Sequence, residues 1–103
     1  MTNIEEFIPM GAANRITSRE IESLTHMKGA EIRKYVNRAR QCGIPICSDD
    51  KGYYLAETPY ELNRTIAQLK SRINQMQCAI NGLNVTLKEM QKQAILQELN
   101  IVF

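Results

Sequence analysis

The chain is poor in the residues that build catalytic and metal sites: it has one histidine, His26, and three cysteines, Cys42, Cys47 and Cys78. A single histidine between two short helices cannot complete a Ser-His-acid or Cys-His arrangement, and His26 reads as a turn or capping residue. The cysteines are odd in number, form no CxxC pair and have no histidine at metal-ligand spacing, so reduced thiols and no zinc or other metal site are expected. Cys42 and Cys47 read as small core fillers. No glycine-rich phosphate loop or dinucleotide-binding glycine pattern occurs. Nothing calls for a cofactor, and no enzymatic activity is expected. Long hydrophobic runs are also missing. The longest fall far short of a bilayer span, and no charged-then-apolar segment opens the chain. The expectation is a cytoplasmic protein with no membrane partner.

What is present is ordinary in amount and uneven in placement. At 103 residues, 44% hydrophobic and 23% charged, the chain has the make-up of one soluble domain, or of a small domain with an appendage. The net charge is only +2, so any attraction to nucleic acid must come from where the charge sits. It sits in one place. Between Lys28 and Arg40 stand Lys28, Arg33, Lys34, Arg38 and Arg40 against Glu31 alone. Ile32, Tyr35, Val36 and Ala39 recur in that stretch at three- and four-residue steps. Met27 to Gly43 therefore reads as a short helix with one apolar face and a basic outer face, the pattern of a recognition helix.

The neighbouring segments give this helix its setting. Ile4, Phe7, Ile8 and Met10 are apolar anchors of a short first helix, interrupted by Pro9 and Gly11. After a brief extended link at Arg15-Ile16, Thr17-Ser18-Arg19-Glu20 forms a capping box and starts a second helix, with Ile21 and Leu24 on its apolar side. Thr25-His26-Met27 is a turn, and two short helices about a tight turn make a helix-turn-helix. Gly43 can then cap the basic helix in the left-handed conformation. Ile44 to Ser48 and Tyr53 to Ala56 read as the strands of a β-hairpin turning at Asp49-Asp50-Lys51-Gly52. Tyr53 and Tyr54 point to opposite faces of their strand, one into the core and the other free to cover the hairpin or touch a ligand.

From Thr17 to Leu55 the chain resembles the winged helix-turn-helix of the biotin operon repressor family, of which similar small domains occur in phage and prophage proteins. The likeness rests on Met27-Lys28-Gly29-Ala30-Glu31-Ile32, on Gly43-Ile44-Pro45-Ile46, and on Lys51-Gly52-Tyr53-Tyr54-Leu55. It implies binding to double-stranded DNA, with bases read from Lys28, Gly29, Arg33, Lys34, Asn37 and Arg38, and with Lys51 on the wing. It does not reach a biotin-ligase domain, for which the chain is too short. Asp49 and Asp50 at the wing tip depart from the pattern, because acids repel phosphate.

The second half has a different grammar. Thr58-Pro59-Tyr60-Glu61 combines an N-cap, a proline at the first helical position and a capping-box glutamate, so a long helix begins there. Leu62, Ile66, Leu69, Ile73, Met76, Ile80, Leu83, Leu87 and Met90 then alternate steps of four and three, as in a coiled coil. Isoleucine dominates the a positions (Ile66, Ile73, Ile80, then Leu87 and Ala94) and leucine or methionine the d positions, a combination that favours two parallel strands. The flanking e and g positions (Asn63, Lys70, Gln77, Asn84; Thr65, Arg72, Ala79, Thr86) contain no acid. Asn81-Gly82 either lies within a continuous helix or turns the segment into a hairpin. Beyond Ala94 the apolar residues Ile95, Leu96, Leu99, Val102 and Phe103 move to another face, which suits a further protein partner.

Together these readings give a mainly α fold with a small β-hairpin. Residues 1–57 form a winged helix-turn-helix and residues 58–103 a coiled-coil dimerisation segment, whose interface is Ile66, Leu69, Ile73, Met76, Ile80, Leu83, Leu87 and Met90. The functional expectation is a dimeric DNA-binding protein of the phage or bacterial regulatory type, acting in transcription or in another DNA transaction. The alternative is an assembly factor that keeps the winged-helix scaffold and uses the coiled coil and apolar tail to bind protein.

Overall fold

The computed structural model describes residues 4–99. It consists of 3-10 turns at Ile4–Phe7 and Ala12–Asn14, helices α1 (Ser18–Thr25) and α2 (Gly29–Gln41), strands β1 (Ile46–Asp49) and β2 (Gly52–Leu55), and helix α3 (Pro59–Glu98). The chain divides into two compact units, Met1–Ala67 and Gln68–Phe103.

In the first unit, local signals set the helix ends. The Thr17 hydroxyl accepts from the Glu20 amide at 3.1 Å while the Glu20 carboxylate accepts from the Thr17 amide at 3.3 Å, so the expected capping box is formed. Helix α1 stops at His26, whose φ of 59° is left-handed, a conformation that histidine enters more readily than most residues. Gly43 follows α2 with a φ of 86°, as a helix-ending glycine should. Proline and glycine limit the first segment to 3-10 turns instead of an α-helix.

The core is aliphatic. Ile4, Ile8, Ile21, Ile32, Val36, Ala39 and Ile46 form one buried cluster, and Tyr35, Tyr53 and Leu55 pack at its margin. Five of the seven are isoleucines, whose branched side chains have little rotamer freedom to lose, and each buried one contributes roughly 1.5–3 kcal/mol. The expected stripe of α2 is thus the buried one. Met10 and Leu24 are exceptions: both are exposed, Met10 ahead of the second 3-10 turn and Leu24 in the last turn of α1. Cys42 is also exposed, one residue past the end of α2, and only Cys47 fills the interior.

The hairpin pairs Ile46 with Leu55, Cys47 with Tyr54, Ser48 with Tyr53 and Asp49 with Gly52. One face, Ile46 and Leu55, closes on the aliphatic core; the other carries the buried pair Cys47 and Tyr54. The Cys47 thiol lies 3.6 Å from the Glu61 carbonyl, so this second face is covered by the start of α3. Both tyrosines are therefore structural, Tyr54 buried and Tyr53 half-buried. The outer edge of β2 is paired too. Ile16 and Tyr53 exchange backbone bonds of 2.9 and 2.7 Å, and Leu55 bonds to Pro9 and Gly11. A β-carbon on Gly52 would stand 2.3 Å from the Ile16 carbonyl oxygen, so only glycine fits there.

Helix α3 starts with a variant of the expected cap. Thr58 Oγ1 accepts from the Glu61 amide at 3.3 Å, but the Glu61 carboxylate accepts from the amides of Glu57 and Ala12, both at 2.8 Å, and so ties the N-terminal segment to the helix. The helix is continuous through Asn81-Gly82, which settles the hairpin alternative. Gly82 has no atom within 4 Å of a would-be β-carbon, and side-chain bonds from Gln77 to Asn81 and from Thr86 to the Gly82 carbonyl bracket it. One exposed glycine costs about 1 kcal/mol relative to alanine, too little to break a helix of 40 residues.

Candidate nucleic-acid interface

The candidate interface is built on the solvent side of α2. With Ile32, Val36 and Ala39 buried and Tyr35 against the core, the helix has one orientation, and Lys28, Arg33, Lys34, Asn37 and Arg38 are all exposed. The Tyr35 hydroxyl donates to the Glu5 carboxylate, which ties α2 to the first 3-10 turn. That bond and the surrounding burial hold the phenol proton above its usual range. Gly29, half-buried, opens the helix beside Glu22: a β-carbon there would lie 3.1 Å from the Glu22 carboxylate. Met27, Glu31, Lys34, Tyr35 and Arg38 line a shallow depression along one flank.

Arg40 is different from the other cations of this helix. Its Nε donates to the Ile46 carbonyl at 2.8 Å and its Nη2 to Ser48 Oγ at 3.1 Å, so it clamps the end of α2 to β1. Charge counting includes Arg40 in the basic patch; the folded chain assigns it to the scaffold. The remaining cations keep their charge for solvent or ligand, since the sole ion pair among the described residues is Arg15–Asp49.

That ion pair changes the meaning of the acids at the hairpin tip. Asp49 Oδ2 lies 2.9 Å from Arg15 Nη2, and Asp49 Oδ1 accepts from the amides of Lys51 and Gly52 at 2.9 and 3.1 Å. Both oxygens are engaged, Oδ1 within the turn in an Asx arrangement that fixes the tip and Oδ2 with Arg15, which offsets the negative charge. Asp50 and Lys51 are left exposed there as an opposed pair of charges. Sequence reasoning missed Arg15, because its partner is 34 positions away and no local pattern links the two.

The expected dimer residues form a second surface. Ile66, Ile73, Met76, Ile80, Leu83, Leu87 and Met90 are exposed by 41, 59, 59, 50, 70, 50 and 64%, and Leu69 is half-buried. Thr65, facing inward, is the buried residue of α3. Ile95 and Leu96 are exposed on another face of the helix and Leu99 just past its end, while Val102 and Phe103 of the expected apolar tail lie outside the described residues. Among the described residues no cluster of three or more His, Cys, Asp or Glu could hold a metal ion, and no helix is long and apolar enough to cross a membrane. In comparisons with family models, curated proteins and solved structures, the chain matches none.

Proposed function

We propose that this is a small winged-helix protein that binds double-stranded DNA as a homodimer, in a regulatory role of the phage or bacterial kind. The observation that carries the reading is the exposed basic face of α2, where Lys28, Arg33, Lys34 and Arg38 have no ion-pair partner, together with a hairpin turn in which Asp49 is already paired with Arg15. A helix of this kind fits the major groove, with its cations and Lys51 within reach of phosphates. The α3 stripe supplies the second half of the proposal. An apolar seam at coiled-coil spacing that is half or more exposed over Ile73 to Met90 is covered best by a second copy in parallel, which brings two recognition helices to one duplex.

A salt-titrated binding assay on random duplexes tests this directly. Affinity should fall steeply as salt rises, because each phosphate contact releases counterions. A protein that ignores DNA at low salt would instead fit an assembly factor, a reading favoured by Ile95, Leu96 and Leu99 exposed off the seam.

A further inference from the structure

The solvent side of α2 is not uniform, and its geometry separates base-reading from phosphate-gripping positions. At about 100° per residue, the directions of Ile32, Tyr35, Val36 and Ala39 average to one bearing, the core side. Ala30, Lys34 and Asn37 lie within about 30° of the opposite bearing, as does Gln41 at the last residue of the helix, whereas Arg33 and Arg38 stand about 70° to either side. The first three form the ridge of the helix; the two arginines form its shoulders. All five are exposed, and neither Lys34 nor Asn37 spends its polar end on another part of the protein.

In a major groove the ridge faces the base edges and the shoulders face the two walls of phosphate. Ala30 to Asn37 spans two helical turns, about 10 Å at 1.5 Å per residue, which matches about three base pairs at 3.4 Å each. The chemistry of the three ridge residues differs. An alanine methyl packs on the thymine methyl, a lysine ammonium donates to guanine O6 and N7, and an asparagine amide both donates to and accepts from adenine. Exposed Ala30, with only a methyl group, keeps the N-terminal end of the ridge low enough for the backbone to approach the bases.

We propose that Ala30, Lys34 and Asn37 read a thymine, a guanine and an adenine on neighbouring base pairs, while Arg33 and Arg38 grip the flanking phosphates. This rests on the DNA-binding reading above, and its test separates the two. A random duplex library is selected with the full-length protein and with Asn37→Ala and Arg38→Ala, each checked to melt as the parent does. The parent should enrich a motif with a fixed guanine and a fixed adenine. Asn37→Ala should lose selection at the adenine alone, with binding to the selected duplex weakened roughly 5- to 150-fold, and affinity for scrambled duplex and the salt slope unchanged. Arg38→Ala should weaken selected and scrambled duplexes alike and reduce the slope by about one. DNA binding without any motif, or a motif that Asn37→Ala leaves intact, overturns the base assignment while the DNA-binding reading stands. No retention of duplex at low salt removes both.

Discussion

Up to Ala67 the chain buries Ile4, Ile8, Ile21, Ile32 and Ile46 to 3% exposure or less, whereas from Ser71 to Glu98 every residue of α3 is exposed. The two regions are not very different in apolar content. What differs is the chance to pack back on the same chain. Short elements joined by tight turns place isoleucines from four segments against one another, but a straight helix cannot fold back on its own stripe. A single helix is marginal in water without tertiary packing, and in α3, 40 residues long, the stripe is uncovered from Ile73 onward. Stability in the first unit is an internal property of the chain; for the rest of α3 the contrast points to a supply from outside.

The largest effect expected from this contrast comes from charging the stripe. Ile73→Asp with Ile80→Asp should raise the dissociation constant of the proposed dimer on the order of a thousandfold, since two carboxylates per chain would enter an apolar seam. Thermal unfolding of the first unit should not move. Sedimentation and calorimetry read the two responses; a dimer that survives the double change would move the interface to the other face, near Ile95 and Leu99. The reverse pattern belongs to the core, where Ile32→Ala should cost about 2–5 kcal/mol of folding stability. An Ile32→Ala protein that melts like its parent would mean that the aliphatic cluster is not what holds the unit.

Between these lies the basic face. Arg33→Ala with Arg38→Ala should leave the thermal midpoint nearly unchanged, weaken binding to all duplexes and lower the salt slope by about one for each arginine that grips a phosphate, measured by fluorescence anisotropy across a salt series. Equal DNA affinity in parent and variant would remove α2 from the interface. The smallest effect concerns Glu61. Bonds from the Glu57 and Ala12 amides hold its carboxyl below the usual range, so in mild acid the unfolded chain binds the proton more readily than the folded one. The stability it adds is present above the ordinary glutamate range and is lost as pH falls through the lowered value. The difference in melting temperature between parent and Glu61→Gln should therefore shrink on acidification, and a constant difference would detach Glu61 from the acid response.

Local features of the fold were legible because their causes are local. The Thr17–Glu20 box, the left-handed Gly43, the turn at Asp49 to Gly52 and the period of α2 each depend on residues within a few positions of one another. The candidate site was legible to the same degree: the period of α2 is enough to put Lys34, Asn37 and Arg38 on its outside. The remainder depends on partners that are close only after folding. Ile16 beside Tyr53, Arg15 at Asp49, Arg40 across to Ile46 and Glu61 at Ala12 leave no periodic trace. These pairings decide which charges remain available, so counting cations along α2 includes one, Arg40, that the fold uses internally.

The acid-free edges of the α3 stripe bear on how such a dimer would come off DNA. In the proposed complex the grip of Arg33, Arg38 and Lys51 on phosphate would weaken with every increase in salt, whereas a seam of isoleucine, leucine and methionine with no acid at the flanking positions Asn63 to Thr86 would have no ion pairs to screen. Rising ionic strength would then separate protein from duplex well before it separates chain from chain. The unit released would be the intact pair, able to engage a new site without waiting for a second molecule to diffuse to it.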